Sequence, residues 1–426
     1  MKNININNLK NIKNKIDKVI NSLEKKYIKR DSKITIKNIF YGLIYKSLNN
    51  NSYDDITNMI NYKNIDNGIY NKTFTTEAFI IKKNKIDSKY FLNLNNSLID
   101  CIYDDKERLL AVDGSTLNLS KKFNNYNFPF ASKKKTYCKG YLSCLFDVYN
   151  KIPINYHLSI KNNERESFLE QSKYLKENDI IIFDRGYHSE ELLLELEKIN
   201  IKYIFRIKKS LNIVKKLVNK DEYLYEENNI KRRLIKYVIN KNNYYILTNL
   251  FNKTIEEIKD NYWSRWEVEV NFKKAKFNLS LETINCKLLN SLEQDIYINH
   301  LNFILYYYLN LETNIDLKNK NKCKINDKAG IKFFIENTCY LLTNKKLTNK
   351  QIFCIDAQFG LIRNTKFYIQ ENRNFKRKSV IKKTKWYYNT KTKKKDKEKK
   401  DKGKKNKGNN RIKIKKIKHN IKIISI

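Results

Sequence analysis

Apolar positions repeat at helical spacing through the first part of this chain and at strand spacing through its middle. Over residues 10–27 and 34–48 they recur every three or four positions, as on amphipathic helices. Ser52-Tyr-Asp-Asp-Ile-Thr opens a third helix, with Ser52 as cap and Asp55 three places on as a capping-box variant. A fourth helix is expected from Thr75 through Ala78 to Asn84. From Arg108 the texture changes. Arg108-Leu-Leu-Ala-Val-Asp is a buried-strand pattern that closes on an acid, and 136–149 and 152–160 are further strands joined by a turn at Asn150-Lys151. A helix over 164–175, a second buried strand (Asp179-Ile-Ile-Ile-Phe-Asp), a helix over 189–199 and a strand over 201–207 follow. Strands in a row and then helix and strand in alternation predict an α/β mixed sheet flanked by helices.

Residues 208–250 interleave charged and apolar side chains (223–226, 233–238, 244–250) and read as a β-rich insertion. A helix is expected over 252–279, and a long apolar helix over 292–311 is expected to pack beneath it. From residue 376 the chain is dominated by lysine. Residues 391–410 carry no apolar side chain, so this tail is expected to be disordered. The expected division is a helical, DNA-binding part over 1–95, a catalytic part in two pieces (96–207 and 251–315) around the 208–250 insertion, a helical region over 316–375 and the tail over 376–426.

Charge changes the picture most. Against 87 Lys and Arg stand 45 Asp and Glu, a formal charge of +42, which points to a polyanionic partner, foremost nucleic acid. Lys, Asn, Ile and Tyr are abundant while Gly, Pro, Ala and Arg are scarce, a bias that AT-rich codon usage also produces. Codon bias does not explain so few acids against so many lysines. The seven cysteines form no Cys-x-x-Cys pair and are odd in number, which argues against a disulfide framework or structural zinc and fits a reducing, intracellular setting. The four histidines are too dispersed for a metal motif. The first residues are polar and charged, so no signal peptide is expected. The most apolar stretch, 299–311, holds His300 and Asn302 and is too short to span a bilayer, so a soluble protein without a membrane partner is expected.

The chemistry is expected on the 252–279 helix. Tyr262, Arg265, Glu269 and Lys276 fall at intervals of three, four and seven, which brings them within an arc of about 60° at about 100° per residue. Such a stripe suits gripping a phosphodiester better than core packing. Beside it Trp263, Trp266, Val270 and Phe277 form a stripe expected to anchor the helix by packing. Two acids close predicted strands beside glycines: Asp113 in Asp-Gly-Ser-Thr and Asp184 in Asp-Arg-Gly-Tyr. Functional groups gather outside the carboxyl ends of strands in open α/β sheets, and Gly114 and Gly186 would let the backbone turn there. A strand-end Asp is often only a turn former. Two of them plus a helical carboxylate form an oxygen-donor set suited to hard divalent ions. Asp104 and Asp105 precede the first strand and are set aside as solvated. Asp147 is weighed as a neighbour of the site, and Glu164 and Glu166 are read as first-turn acids favoured by the helix dipole. His188 reads as a turn or helix-start residue.

The motifs together resemble the DDE transposases of bacterial insertion sequences, in the branch with a Tyr-Arg-Glu-Lys signature. The residues that carry this are Asp113 in Val-Asp-Gly-Ser, Asp184 in Asp-Arg-Gly-Tyr, and Tyr262, Arg265, Glu269 and Lys276 at the signature spacing. The long interval from Asp184 to Glu269 leaves room for that branch's β-rich insertion. The resemblance covers about residues 30–315. It implies a ribonuclease H-like catalytic domain in which Asp113, Asp184 and Glu269 are the catalytic and metal-binding triad for two Mg²⁺ ions, with Mn²⁺ able to substitute. It also implies that Tyr262, Arg265 and Lys276 hold phosphates of the element's ends; Arg185 and Tyr187 are placed to touch DNA too, a structural role being the alternative. Expected partners are double-stranded DNA (terminal inverted repeats and target) and a second copy in a synaptic dimer. The compartment would be cytoplasm or nucleoid in a bacterium, nucleus or viral replication site in a eukaryotic host. Rival readings are a decayed or repurposed DNA binder and a stand-alone nuclease of the same fold.

Overall fold

One long strand organises the sheet in the computed structural model. This strand, β1 (Leu109–Ser120), pairs antiparallel along its length with β2 (Tyr137–Asp147), which pairs antiparallel with β3 (Ile152–Ser159). On its other edge β1 pairs in parallel with β4 (Ile180–Phe183), and β4 in parallel with β5 (Lys202–Arg206). The order β3-β2-β1-β4-β5 is the ribonuclease H-like arrangement. Helix α6 (Glu164–Gln171) lies between β3 and β4 in the chain, and α7 (Glu190–Lys198) between β4 and β5. The β-rich insertion is three strands, β6 (Glu222–Glu227), β7 (Ile230–Ile239) and β8 (Asn242–Thr248). Because β8 pairs antiparallel with β5, these strands extend the same sheet to eight rather than forming a separate layer.

The described residues are 4–334 apart from 28–31, 50, 67, 101–107, 133–135, 218–219, 228–229, 240, 284–285 and 322, together with 357, 360–361 and 364–368. The expected tail (376–426), Asp104, Asp105 and most of 316–375 lie outside them. Among the described residues no helix is long and apolar enough to cross a membrane. The four described cysteines, Cys138, Cys144, Cys286 and Cys323, are free and buried.

Strand composition sets where the sheet opens. Leu109, Leu110, Ala111 and Val112 are buried, as are all four residues of β4, the continuous apolar pattern of strands covered on both faces. Arg108 and Asp179 lock the two strand starts together: Arg108 Nε donates to Asp179 Oδ1 at 2.7 Å in a buried pair. Parallel pairing stops at Ala111, whereas β1, expected to close on Asp113, runs on to Ser120. Antiparallel pairing with β2 carries the strand past the acid. Asp113 therefore stands mid-strand, at the point where β1 parts from β4.

Helices α1 (Ile4–Tyr27), α2 (Ile36–Asn49), α3 (Tyr53–Asp66) and α4 (Thr76–Asn84) match the predicted periodicity. At the start of α3 the Ser52 N–H donates to Asp55 Oδ2 at 2.8 Å, and the Asp55 N–H donates back to Ser52 Oγ at 3.1 Å. A further helix, α5 (Lys89–Ile99), was not anticipated; its asparagines blur an apolar face of Phe91, Leu94 and Leu98. Buried Asn95, at the expected domain boundary, sits inside it and donates to the Tyr297 carbonyl at 2.8 Å. That carbonyl belongs to α10 (Leu289–Asn321), the long helix that packs on β3, α2 and α5.

His300, fully buried on α10, approaches the Pro153 carbonyl at 2.7 Å through Nε2 and packs edge-on to Tyr156. Since a carbonyl only accepts, Nε2 carries the proton. Burial pushes its pKa down to about 4 despite that hydrogen bond. A depressed folded-state value means stability that is complete above about 6.5 and lost as pH falls toward 4, about 3 kcal/mol in all. Denaturant titrations between pH 7 and 4 should show His300→Gln, whose amide can keep the Pro153 contact, losing that much less stability than the wild type.

Candidate active site

The segment expected as one helix is two. Thr254 caps α8 (Ile255–Ser264) through a capping box with Glu257, and α9 (Trp266–Phe277) follows after Arg265. Arg265 keeps helical angles (φ −51°, ψ −31°), but the bonds there are Arg265 N–H to Tyr262 O and Val268 N–H to Arg265 O, three residues apart rather than four. This tightened turn moves α9 out of phase with a uniform 100° wheel. The buried face of α9 is Val268, Asn271, Phe272 and Ala275, while Trp266, Val270 and Phe277 are exposed. The stripe expected to anchor the helix is thus largely on the surface; of its members Trp263 packs inward, against Tyr244. Anchoring falls to Asn271, buried between Cys144 and Tyr156, whose side chain donates to Tyr156 Oη at 3.0 Å.

Held in this way, α8 and α9 bring Tyr262, Arg265 and Glu269 to the opening between β1 and β4. Arg265 Nη2 donates to Glu269 Oε1 at 3.0 Å, and its Nη1 stands 3.9 Å from Asp113 Oδ2. The Tyr262 hydroxyl donates to Asp184 Oδ1 at 3.2 Å. Asp113, Asp184 and Glu269 therefore face one another around a guanidinium and a phenol, although they come from three separate parts of the chain. Their side chains are 23%, 36% and 30% exposed against 8% for Arg265, so the acids are open to solvent while the arginine is enclosed beneath them.

Electrostatics mark the same place. Burial pushes the Asp113 carboxyl up to about 6; the Gly114 N–H and Arg265 pull it down, and Glu269 and Glu164 add to the rise. Burial works against the Arg265 charge, yet Tyr262, Asp184, Asp113 and Glu269 together raise its pKa above the ordinary value. Tyr262 is raised by burial first and by the Asp184 charge second. Too many negative groups converge here for one arginine to balance.

Other expected contacts fall differently. Lys276 Nζ donates to the Thr116 carbonyl at 2.8 Å and stands 3.4 Å from Glu282, so it ties α9 to β1 instead of facing outward. Arg185 is exposed beside Asp184 and open to a ligand. Tyr187 is buried, its ring tilted against Phe183, which favours the structural role over contact with DNA. Asp147 accepts from Asn150 N and Nδ2, as a turn former at the β2–β3 hairpin. Two residues escaped the sequence reading. Arg206 follows Phe205, which pairs with Phe183, so it stands level with Asp184, 3.8 Å from Oδ1, and stacks on Tyr244. Glu164, read as a first-turn acid, is in the first turn of α6 but also faces the site.

Partly exposed carboxylates with an excess of negative charge fit a hard divalent cation by donor chemistry. As the side chains stand, among the described residues no three His, Cys, Asp or Glu groups are close enough to hold one ion. Arg265 occupies the space between Asp113 and Glu269, so a shared ion requires its guanidinium to swing aside.

Residues 104–305 match the family model of the transposase DDE domain. A curated protein of Synechocystis sp., described as a transposase for insertion sequence element IS4SA, is 30% identical over 131 residues, covering 28% of this chain and 38% of that protein. The match thus spans well under half of that relative. A piggyBac transposase, solved by cryo-EM in a synaptic complex with hairpin DNA, aligns over 82% of each chain with a TM-score of 0.42 and 13% identity. Residues 104–305, which hold both strand acids and the complete Tyr-Arg-Glu-Lys signature, are thus similar to the DDE domain of transposases, and part of the chain is similar to a transposase of an insertion sequence element.

Proposed function

We propose that this protein cuts DNA at the ends of a mobile element and joins those ends to a target. The observation that carries this is the meeting of Asp113, Asp184 and Glu269 around Arg265 and Tyr262. With the Arg265 guanidinium moved aside, the three carboxylates would hold two divalent ions, Mg²⁺ in the cell with Mn²⁺ as a working substitute. Bound there, the ions supply Lewis-acid activation of the attacking oxygen and charge stabilisation at the departing one. In cleavage, water attacks the phosphorus and a 3′-hydroxyl leaves; in joining, that 3′-hydroxyl attacks a target phosphodiester and displaces another 3′-oxygen. The chain's own groups position the strand. Arg265, freed from the acids, offers a planar fork to a phosphate, and Arg206 and exposed Arg185 add positive charge beside Asp184. Tyr262 holds the Asp184 carboxylate in place through its hydroxyl.

Double-stranded DNA, as terminal inverted repeats and target, is the substrate, and two copies act together at paired ends. Residues 1–95 of the division above, which hold α1–α4 and the first part of α5, contribute to recognition of the ends. Labelled element ends incubated with Mg²⁺ and target DNA should yield joined products. Cuts without joining would mark a stand-alone nuclease, and retention of DNA without cuts a binding protein only. Residues 376–426 add affinity without sequence preference by releasing counterions. Deleting them should weaken DNA binding and flatten its dependence on salt; an unchanged slope would exclude that role.

A further inference from the structure

One row of side chains crosses three strands at the level of the first strand acid. Asp113 of β1 pairs with Cys144 of β2, and Cys144 pairs with Tyr156 of β3. Directly opposed residues on antiparallel strands share a face, so these three stand in line on the face that α9 covers. Helix α9 meets both ends of the row. At one end Glu269 faces Asp113 across Arg265. At the other, the Asn271 amide donates to Tyr156 Oη at 3.0 Å and to Cys144 Sγ at 3.6 Å. Tyr156 is itself held, with Phe272 tilted against its ring and His300 of α10 edge-on to it.

An asparagine is a costly choice for this place. Asn271 is buried, and among the described residues its Oδ1 has no hydrogen-bond partner. A buried amide left half satisfied is less favourable than an apolar side chain of similar size. The rest of the buried face of α9, Val268, Phe272 and Ala275, is apolar and suits such a side chain. What apolar packing does not supply is register, because it has no preferred direction. A hydrogen bond to a fixed hydroxyl supplies it. Sliding α9 by one residue would carry Glu269 about 1.5 Å along the helix axis and break the contact. Lys276 also ties α9 to β1, but through a flexible four-carbon stem. Between coiled helices a single buried asparagine fixes register in the same way, at a cost in stability.

We propose that Asn271 is a positioning residue, whose contact with Tyr156 sets the register of α9 and so the place of Glu269 opposite Asp113, at a cost in stability. This rests on the reading of these acids as the cleavage site, and the test separates the two. Cleavage of labelled element ends by the full chain is measured at saturating DNA with Mg²⁺, alongside gel-shift binding, melting in chelator and crystal structures. Asn271→Leu should melt at the wild-type temperature or higher and bind ends with an unchanged Kd, yet cleave about tenfold to a hundredfold more slowly. Tyr156→Phe, which keeps the ring and removes the hydroxyl, should also slow cleavage and serves if the Leu variant does not fold. Combining the two should cost little more than Asn271→Leu alone, because both remove one contact. A residue that only supported the fold would lower melting temperature and cleavage together. That result would overturn the proposal, as would wild-type cleavage in both variants. In crystals of Asn271→Leu, Glu269 should be displaced relative to Asp113. Displacement there, with a wild type that cuts no DNA, would sink the cleavage reading and leave the register assignment standing. Glu269 unmoved in a variant of a wild type that does cut would sink the register assignment alone.

Discussion

Asp113→Asn, Asp184→Asn and Glu269→Gln should each slow DNA cleavage by about a thousandfold or more, while binding to element ends persists. The amides keep the volume of the acids and remove the charge that ligates the ions. Stability separates this from a merely structural role. Burial pushes the Asp113 carboxyl up to about 6, above the ordinary aspartate value of 3.8, so the folded chain favours the neutral form. The stability tied to that proton is present in full below about 3.8 and lost as pH rises through 6. At pH 8 a neutral Asn at 113 escapes that loss, and Asp113→Asn should be more stable than the wild type in chelator by about 1–3 kcal/mol. A protein that gains stability while losing its reaction has lost a functional group, a trade expected at active sites. Equal loss of cleavage and DNA binding in folded variants would count against the assignment. Gel-shift, cleavage and melting measurements on the same preparations decide it.

Arg265→Met should have the second large effect, and its sign should depend on divalent ions. The guanidinium is enclosed and is the shared counter-charge of Glu269 and Asp113. Breaking a buried pair costs about 3–5 kcal/mol, and the partial exposure of both partners lowers this to about 2 kcal/mol in chelator. Mn²⁺ can then take over the balancing charge, so it should raise the melting temperature of Arg265→Met more than that of the wild type. Cleavage should still fall, because the phosphate fork is gone. Arg265→Lys should retain part of the stability but reach one acid at a time, for want of a planar fork. If Mn²⁺ stabilised wild type and Arg265→Met equally, the idea that guanidinium and ion compete for one space would fail.

The acids were legible in the sequence because each sits where an apolar run ends or a helical stripe turns polar, and those patterns are local. Asp113, Asp184 and Glu269 needed only strand contexts and a spacing. The β-rich insertion was legible for the same reason, but its continuation of the main sheet was not, since the β5–β8 pairing joins residues far apart in the chain. The break at Arg265 was hidden because three-residue hydrogen bonding leaves no mark in residue type, and a uniform wheel then set Trp266, Val270 and Phe277 on the wrong face. Helix α5 was masked by asparagines, one of which is buried on a partner carbonyl. Arg206 depended on parallel register between β4 and β5, and Glu164 on a through-space fit to glycines read as turn formers. What escaped was in each case set by contacts between distant segments or by hydrogen-bond geometry invisible in composition.

The most direct test is anomalous scattering from crystals of the full chain grown with Mn²⁺ and an element-end oligonucleotide. The expected result is manganese at coordination distance, about 2.0–2.3 Å, from oxygens of Asp113, Asp184 and Glu269, with the Arg265 guanidinium displaced toward a DNA phosphate. Manganese bound elsewhere, with these three side chains still apart and Arg265 still between them while the DNA is engaged, would contradict it.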